Sequence, residues 1–137
     1  GANAPDPEPS LVVRLTYRGA SFLFAGDVGA REEKSLLRQR ALLRSTVIKV
    51  PRHGSANSST EEFVSAVEPR LAIISLGERN PFGFPRGEVL ARYRRAGAEI
   101  LRTDEDGAVI VITDGKKLTY QTYRSGRRGS LLLDAIS

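Results

Sequence analysis

The sequence predicts a layered α/β domain with partly parallel strand pairing. Three observations carry that expectation. Strand-like and helix-like segments alternate along residues 11–123. Residues 71–76, Leu-Ala-Ile-Ile-Ser-Leu, form a nearly continuous apolar run, the mark of a strand covered on both faces. Glycine and proline punctuate the segments rather than interrupt them.

The elements follow in order. Residues 11–17 alternate, with Leu11, Val13, Leu15 and Tyr17 on one face and Val12, Arg14 and Thr16 on the other. Arg18-Gly19 turns the chain into a second strand at residues 21–25, so the pair reads as a hairpin. Residues 30–40 read as a helix with Leu36 and Leu37 inward and Arg31, Glu32, Glu33 and Lys34 in water. A short strand covers residues 46–50, and Pro51 stops it. Ser59 can cap the next helix, with Glu62 completing a capping box, and Phe63, Val64 and Val67 form its apolar side. After the apolar strand, Pro81, Gly83 and Pro85 keep residues 77–87 irregular. A helix at residues 88–96 buries Val89, Leu90 and Tyr93 and leaves Arg92 and Arg95 on its outer side. Strands follow at residues 99–102, 107–113 and 117–123, the last two joined by Asp114-Gly115. The run from Leu131 to Ile136 reads as a docked helix or a disordered tail.

Composition narrows the function classes. The 137 residues suffice for one domain. No cysteine is present, which excludes disulfides and thiolate metal sites. With a single histidine, a metal site must lean on carboxylates or on further chain. No apolar run reaches the roughly 20 residues that span a bilayer. Residues 1–9 are Pro-rich and acidic and read as a flexible lead-in or a cloning remnant, not a signal peptide. The net charge of +5 favours phosphate backbones or anionic lipid, or reflects only an arginine-rich, solvated surface.

Three loops, each directly after a strand, carry groups capable of chemistry. In Phe24-Ala25-Gly26-Asp27, a strand-end carboxylate suits either a metal-bridging ligand or a helix cap. In Lys49-Val50-Pro51-Arg52-His53-Gly54-Ser55, the imidazole is a metal ligand, a general base or a surface group bonded to its own loop. In residues 77–85, Glu78 is the only proton-transfer group, and Phe82 and Phe84 either pack on the core or stack on nucleobases.

Taken together, these stretches resemble the C-terminal half of the metallo-β-lactamase-like, nuclease-like domain of ComEC-type competence proteins. The resemblance runs from Ser10 to Tyr123. It rests on Ala25-Gly26-Asp27, on Val50-Pro51-Arg52-His53-Gly54-Ser55, on the loop at residues 77–85, and on Arg102-Thr103-Asp104-Glu105-Asp106-Gly107. Two departures stand out. Arg52 and Phe84 occupy places where the family carries histidines, and the family's leading His-x-Asp/His-x-Asp-His motif is absent.

The resemblance implies half of an αββα sandwich, with a mixed sheet and helices packed on one face, over residues 10–124. Residues 125–137 would form an Arg/Gly-rich tail with an apolar end. Intact relatives would hold zinc or manganese ions. Here Asp27 and His53 are the only family-type ligands, so no metal is expected in this chain alone, and catalysis by those two residues would need missing chain. The implied role is DNA uptake, as the soluble domain of a bacterial inner-membrane channel protein. Arg52, Ser55, Arg86, Arg92 and Arg95 would contact DNA; the bland alternative for each arginine is a solvated face. A half sandwich would also leave an apolar sheet face uncovered and so favour a homodimer. Three readings follow: a split nuclease domain, a DNA-backbone binding module, or a structural dimerisation unit.

Overall fold

Side-chain alternation builds the molecule around a central sheet. The computed structural model describes residues 10–77 and 81–134. Strands β1 (Val13–Tyr17), β2 (Ala20–Phe24), β3 (Val47–Lys49), β4 (Leu71–Ile74) and β5 (Glu99–Arg102) lie side by side in that order. β1 and β2 pair antiparallel as the predicted hairpin, with Leu15 opposite Phe22. β2, β3, β4 and β5 are parallel. The mixed sheet is therefore as expected.

The period of two along each strand sorts the core into two halves. Leu23, Ile48, Ala72 and Ile74 point to one face and meet Phe63, Val64, Val67, Val89 and Tyr93 from the helices. Those helices are α2 (Glu61–Val67) and α3 (Gly87–Arg95), and α1 (Ala30–Leu36) adds the partly buried Leu36 to the same face. Phe22, Val47, Leu71, Ile73 and Leu101 point to the other face. There they meet Val109, Val111, Leu118, Tyr120 and Leu131 of a second, three-stranded antiparallel sheet. Its strands are β6 (Val109–Thr113), β7 (Lys117–Thr122) and β8 (Arg128–Leu132). Burial of each large side chain contributes about 1.5–3 kcal/mol, and coverage on both faces explains the apolar run of β4.

Several expectations change here. The uncovered sheet face does not exist where it was expected, because β6, β7 and β8 cover it. The large apolar side chains that stay exposed include Leu15 and Tyr17 on β1 and Ile110 and Ile112 on β6. Leu131 and Leu132 form neither a docked helix nor a disordered tail. They belong to β8, which pairs with β7 so that Leu118 faces Leu131. The turn after β5 is one helical turn, α4 (Thr103–Asp106). The first helix is shorter than residues 30–40, because a 3-10 segment, Leu37–Leu42, takes over and breaks at Gln39. The cap of α2 is Thr60, whose Oγ1 accepts from the Phe63 N–H at 3.3 Å, and not Ser59. The lead-in at residues 1–9 lies outside the described residues, as do Glu78 and residues 135–137.

Candidate functional site

Parallel pairing puts the loops that follow β2, β3, β4 and β5 at one edge of the sheet, where ligands of open α/β folds collect. Backbone hydrogen bonds fasten these loops together. The Arg52 N–H donates to the Gly26 carbonyl at 3.1 Å, and the Ala30 N–H donates to the Asn57 carbonyl at 2.7 Å. The Arg86 N–H donates to the Gly54 carbonyl at 3.0 Å, which ties the loop after β4 to the loop after β3. Gly54 has φ of +83°, and a Cβ there would lie 2.5 Å from Pro85 Cβ, so only glycine permits this approach.

The result is a cleft of about 540 Å³ whose lining includes Asp27, Glu32, Arg52, His53, Ser55 and Phe84. The strand-end Asp27 and the single histidine therefore share one site, as does Arg52. Arg52 and His53 are both left-handed, with φ of 49° and 54°. Two successive non-glycine residues in that region store of order 1–3 kcal/mol each, held by the fastened loops around them. His53 Nδ1 lies 2.7 Å from the Ser75 carbonyl oxygen. A carbonyl only accepts, so Nδ1 carries the proton, and in the neutral ring Nε2 keeps its lone pair. The Ser55 N–H donates to the Arg52 carbonyl at 3.0 Å, and Ser55 Oγ accepts from the Asn57 N–H at 3.3 Å. The hydroxyl proton of Ser55 is then still available for a ligand. Gly29 leaves room for two side chains: a Cβ there would meet Arg52 Nη1 at 3.1 Å and Glu32 Oε2 at 3.2 Å.

The other predicted DNA contacts separate from this cleft. Arg86 is exposed and comes to its rim through the backbone bond to Gly54. Arg92 is only partly exposed, and its Nη1 donates to the Ser59 carbonyl at 3.0 Å. Arg92 and Arg95 line a different groove of about 330 Å³ between α2 and α3, together with Glu61 and Glu68. The arginines thus do not line a single groove.

A metal fits the described residues poorly. No three histidine, cysteine or carboxylate side chains among them are grouped to hold an ion. Asp27 and His53 are two donors, Glu32 Oε2 already accepts from the Gly29 N–H at 3.0 Å, and the Arg52 guanidinium lines the same cleft.

Sequence reasoning placed Glu33 in water, yet it is fully buried. Its carboxylate accepts from the Ser59 N–H at 2.6 Å and the Thr60 N–H at 2.8 Å. Burial pushes its carboxyl above the ordinary range, against the opposing pull of those backbone bonds and of Arg92. Beside it, Ser59 Oγ and Tyr93 Oη lie 2.9 Å apart, and burial raises the Tyr93 phenol strongly. This network sets the end of the loop that begins with Arg52 and His53. The signal was present in the spacing: Glu33 lies three and four residues before Leu36 and Leu37, on the same helical stripe.

With this geometry established, relatives sharpen the reading. No protein-family model matches the chain. ComE operon protein 3 of Bacillus subtilis is 32% identical over 124 residues, covering 88% of this chain and 16% of that protein. Competence protein ComA of Neisseria gonorrhoeae is 37% identical over 108 residues, covering 78% of this chain and 16% of the relative. The chain is homologous to one segment of the ComEC-type competence proteins. Recombination protein 2 of Haemophilus influenzae adds 33% identity over 120 residues, covering 88% and 15% of the two chains. This competence-protein segment thus spans about one sixth of the curated relatives it matches. No helix among its described residues is long and apolar enough to cross a membrane.

Proposed function

We propose that this chain is the DNA-contacting part of a natural-transformation competence protein, and that its cleft holds the phosphodiester backbone. One observation carries the reading: Arg52, His53 and Ser55 meet in a single cleft at the carboxyl ends of the parallel strands. Arg52 makes no side-chain hydrogen bond or ion pair among the described residues, so its planar fork is available to two phosphate oxygens. The Ser55 hydroxyl donates a further bond. Asp27 and Glu32 form a negative side of the cleft that repels a misplaced phosphate and narrows the binding position. The parent protein would be a membrane channel passing one DNA strand inward, with this segment outside the bilayer. Fluorescence anisotropy with a labelled oligonucleotide tests the reading. Affinity should fall as salt rises from about 50 to 200 mM, as backbone contacts require; absent or salt-independent binding refutes it.

A second reading is favoured by the His53 hydrogen bond. Histidines that bind metal ordinarily donate their other ring N–H to a carbonyl or carboxylate, as Nδ1 does to Ser75. Asp27 and His53 would then be two ligands of a metallo-β-lactamase-like phosphodiesterase centre, completed by chain outside this segment. Calorimetry should find no submicromolar zinc or manganese site in this chain. A nuclease assay with manganese should detect cleavage by the longer parent protein only. Cleavage by neither would sink this reading and leave the first intact.

A further inference from the structure

Next to the cleft lies a second surface of opposite character. It is an apolar pocket of about 550 Å³, lined by His53, Leu76, Pro81, Phe82 and Phe84 among others. Phe82 and Phe84 are stacked, with ring centroids 5.7 Å apart and planes 22° from parallel. Phe82 is 65% exposed, so it does not pack into the core, and the choice left open by its sequence is settled against burial. His53 and Phe84 line both cavities, which makes the apolar pocket continuous with the cleft. The platform is also held in place. Pro85 rests on Gly54, and the Arg86 N–H bonds the Gly54 carbonyl, so the chain directly after Phe84 is fastened to the loop that carries His53.

An exposed aromatic face beside a cleft that carries the Arg52 guanidinium and the Ser55 hydroxyl matches the chemistry of one nucleotide: a flat apolar base joined to an anionic phosphate. Bases within a duplex already stack on their neighbours and offer no free face to a side chain. We propose that the Phe82–Phe84 pair is a stacking platform for an unpaired nucleobase whose phosphate lies in the neighbouring cleft, so that this segment grips single-stranded rather than duplex nucleic acid. The proposal rests on the reading of the cleft as a phosphate site, and it adds the strandedness of the ligand. Stacking on aromatic rings is tolerant of base identity, so the grip is sequence-independent.

The test uses anisotropy titrations of the folded chain with three ligands of about 12 nucleotides, a length that fills a typical single-strand site. They are a single strand, the matching duplex, and an abasic strand that keeps only the sugar-phosphate backbone. The single strand should bind roughly tenfold more tightly than the abasic strand, the scale of one stacked base. Phe82→Ala should remove that advantage and leave the abasic strand unaffected. Phe82→Trp, which keeps a larger ring, should bind the single strand at least as well as the parent. Arg52→Ala should weaken both strands alike. If Phe82→Ala leaves single-strand affinity unchanged while Arg52→Ala lowers it, the platform is refuted and the phosphate cleft stands. Equal affinity for duplex and single strand also overturns the platform. If the parent chain binds none of the three at low salt, both fall. A concentration-dependent dimer in sedimentation that Phe82→Ala abolishes would assign the rings to a protein interface and overturn the proposal.

Discussion

Replacing Glu33 with alanine should destabilise the chain by about 3 kcal/mol. The magnitude comes from the two backbone donors that the carboxylate satisfies, the N–H groups of Ser59 and Thr60 at 2.6 and 2.8 Å. Leaving a buried donor unpaired costs about 1–3 kcal/mol, so two together cost roughly 2–6 kcal/mol. Relief from burying a charge offsets part of that. The sign of the pH dependence follows from the raised carboxyl of Glu33. The native state holds its proton more tightly than the unfolded chain, so the stabilisation from this group is fully present below the ordinary value of 4.5 and declines as pH rises through the higher folded value. Urea unfolding of both proteins between about pH 4 and pH 8 measures the difference across that window. The gap between them should be widest at the acid end. A loss smaller than about 1 kcal/mol, or a gap that widens with rising pH, would refute the account of the loop as built on this carboxylate.

Three further outcomes follow from the same geometry. Gly54→Ala should lower the melting temperature by several degrees, since the new methyl would sit 2.5 Å from Pro85 Cβ on a backbone with φ of +83°; thermal circular dichroism reads this. Tyr93→Phe should cost about 1 kcal/mol in urea unfolding, because Ser59 Oγ loses its buried partner. Burial pushes the Asp106 carboxyl up, but the Arg102 N–H, the Ser125 hydroxyl and the Arg127 charge outweigh it and hold the carboxyl below its usual 3.8. Its contribution is present above that value and lost as pH falls through the lower folded one, so Asp106→Asn should show a shallower acid decline in stability than the parent between about pH 5 and pH 2.

The sequence made the architecture legible wherever a single period ruled. The alternation at residues 11–17, the apolar β4 and the helix holding Val89 and Tyr93 are all where periodicity put them. Signals failed where two patterns competed. Ser59 and Thr60 both offer a hydroxyl before the acidic pair Glu61 and Glu62; in the fold Ser59 Oγ is paired with Tyr93 Oη, and Thr60 Oγ1 accepts from the Phe63 N–H as the cap. β8 carries Arg128, Gly129 and Ser130, which read as tail; its pairing depends on β7, a partner that composition does not reveal. In the candidate site, strand-end placement singled out Asp27 and His53 separately, and the family resemblance joined them into one expected site. Two features were not legible. The left-handed backbone at Arg52 and His53 is imposed by tertiary hydrogen bonds, and the diversion of Arg92 toward the Ser59 carbonyl depends on a residue distant in sequence.

The most direct measurement of the phosphate cleft compares salt dependence before and after one substitution. For a single-stranded oligonucleotide, the slope of log affinity against log salt should become shallower by about 0.7 in Arg52→Ala, the share of one neutralised phosphate. An unchanged slope with unchanged affinity would mean that Arg52 touches no backbone, and that the cleft it shares with Asp27, His53 and Ser55 has another purpose.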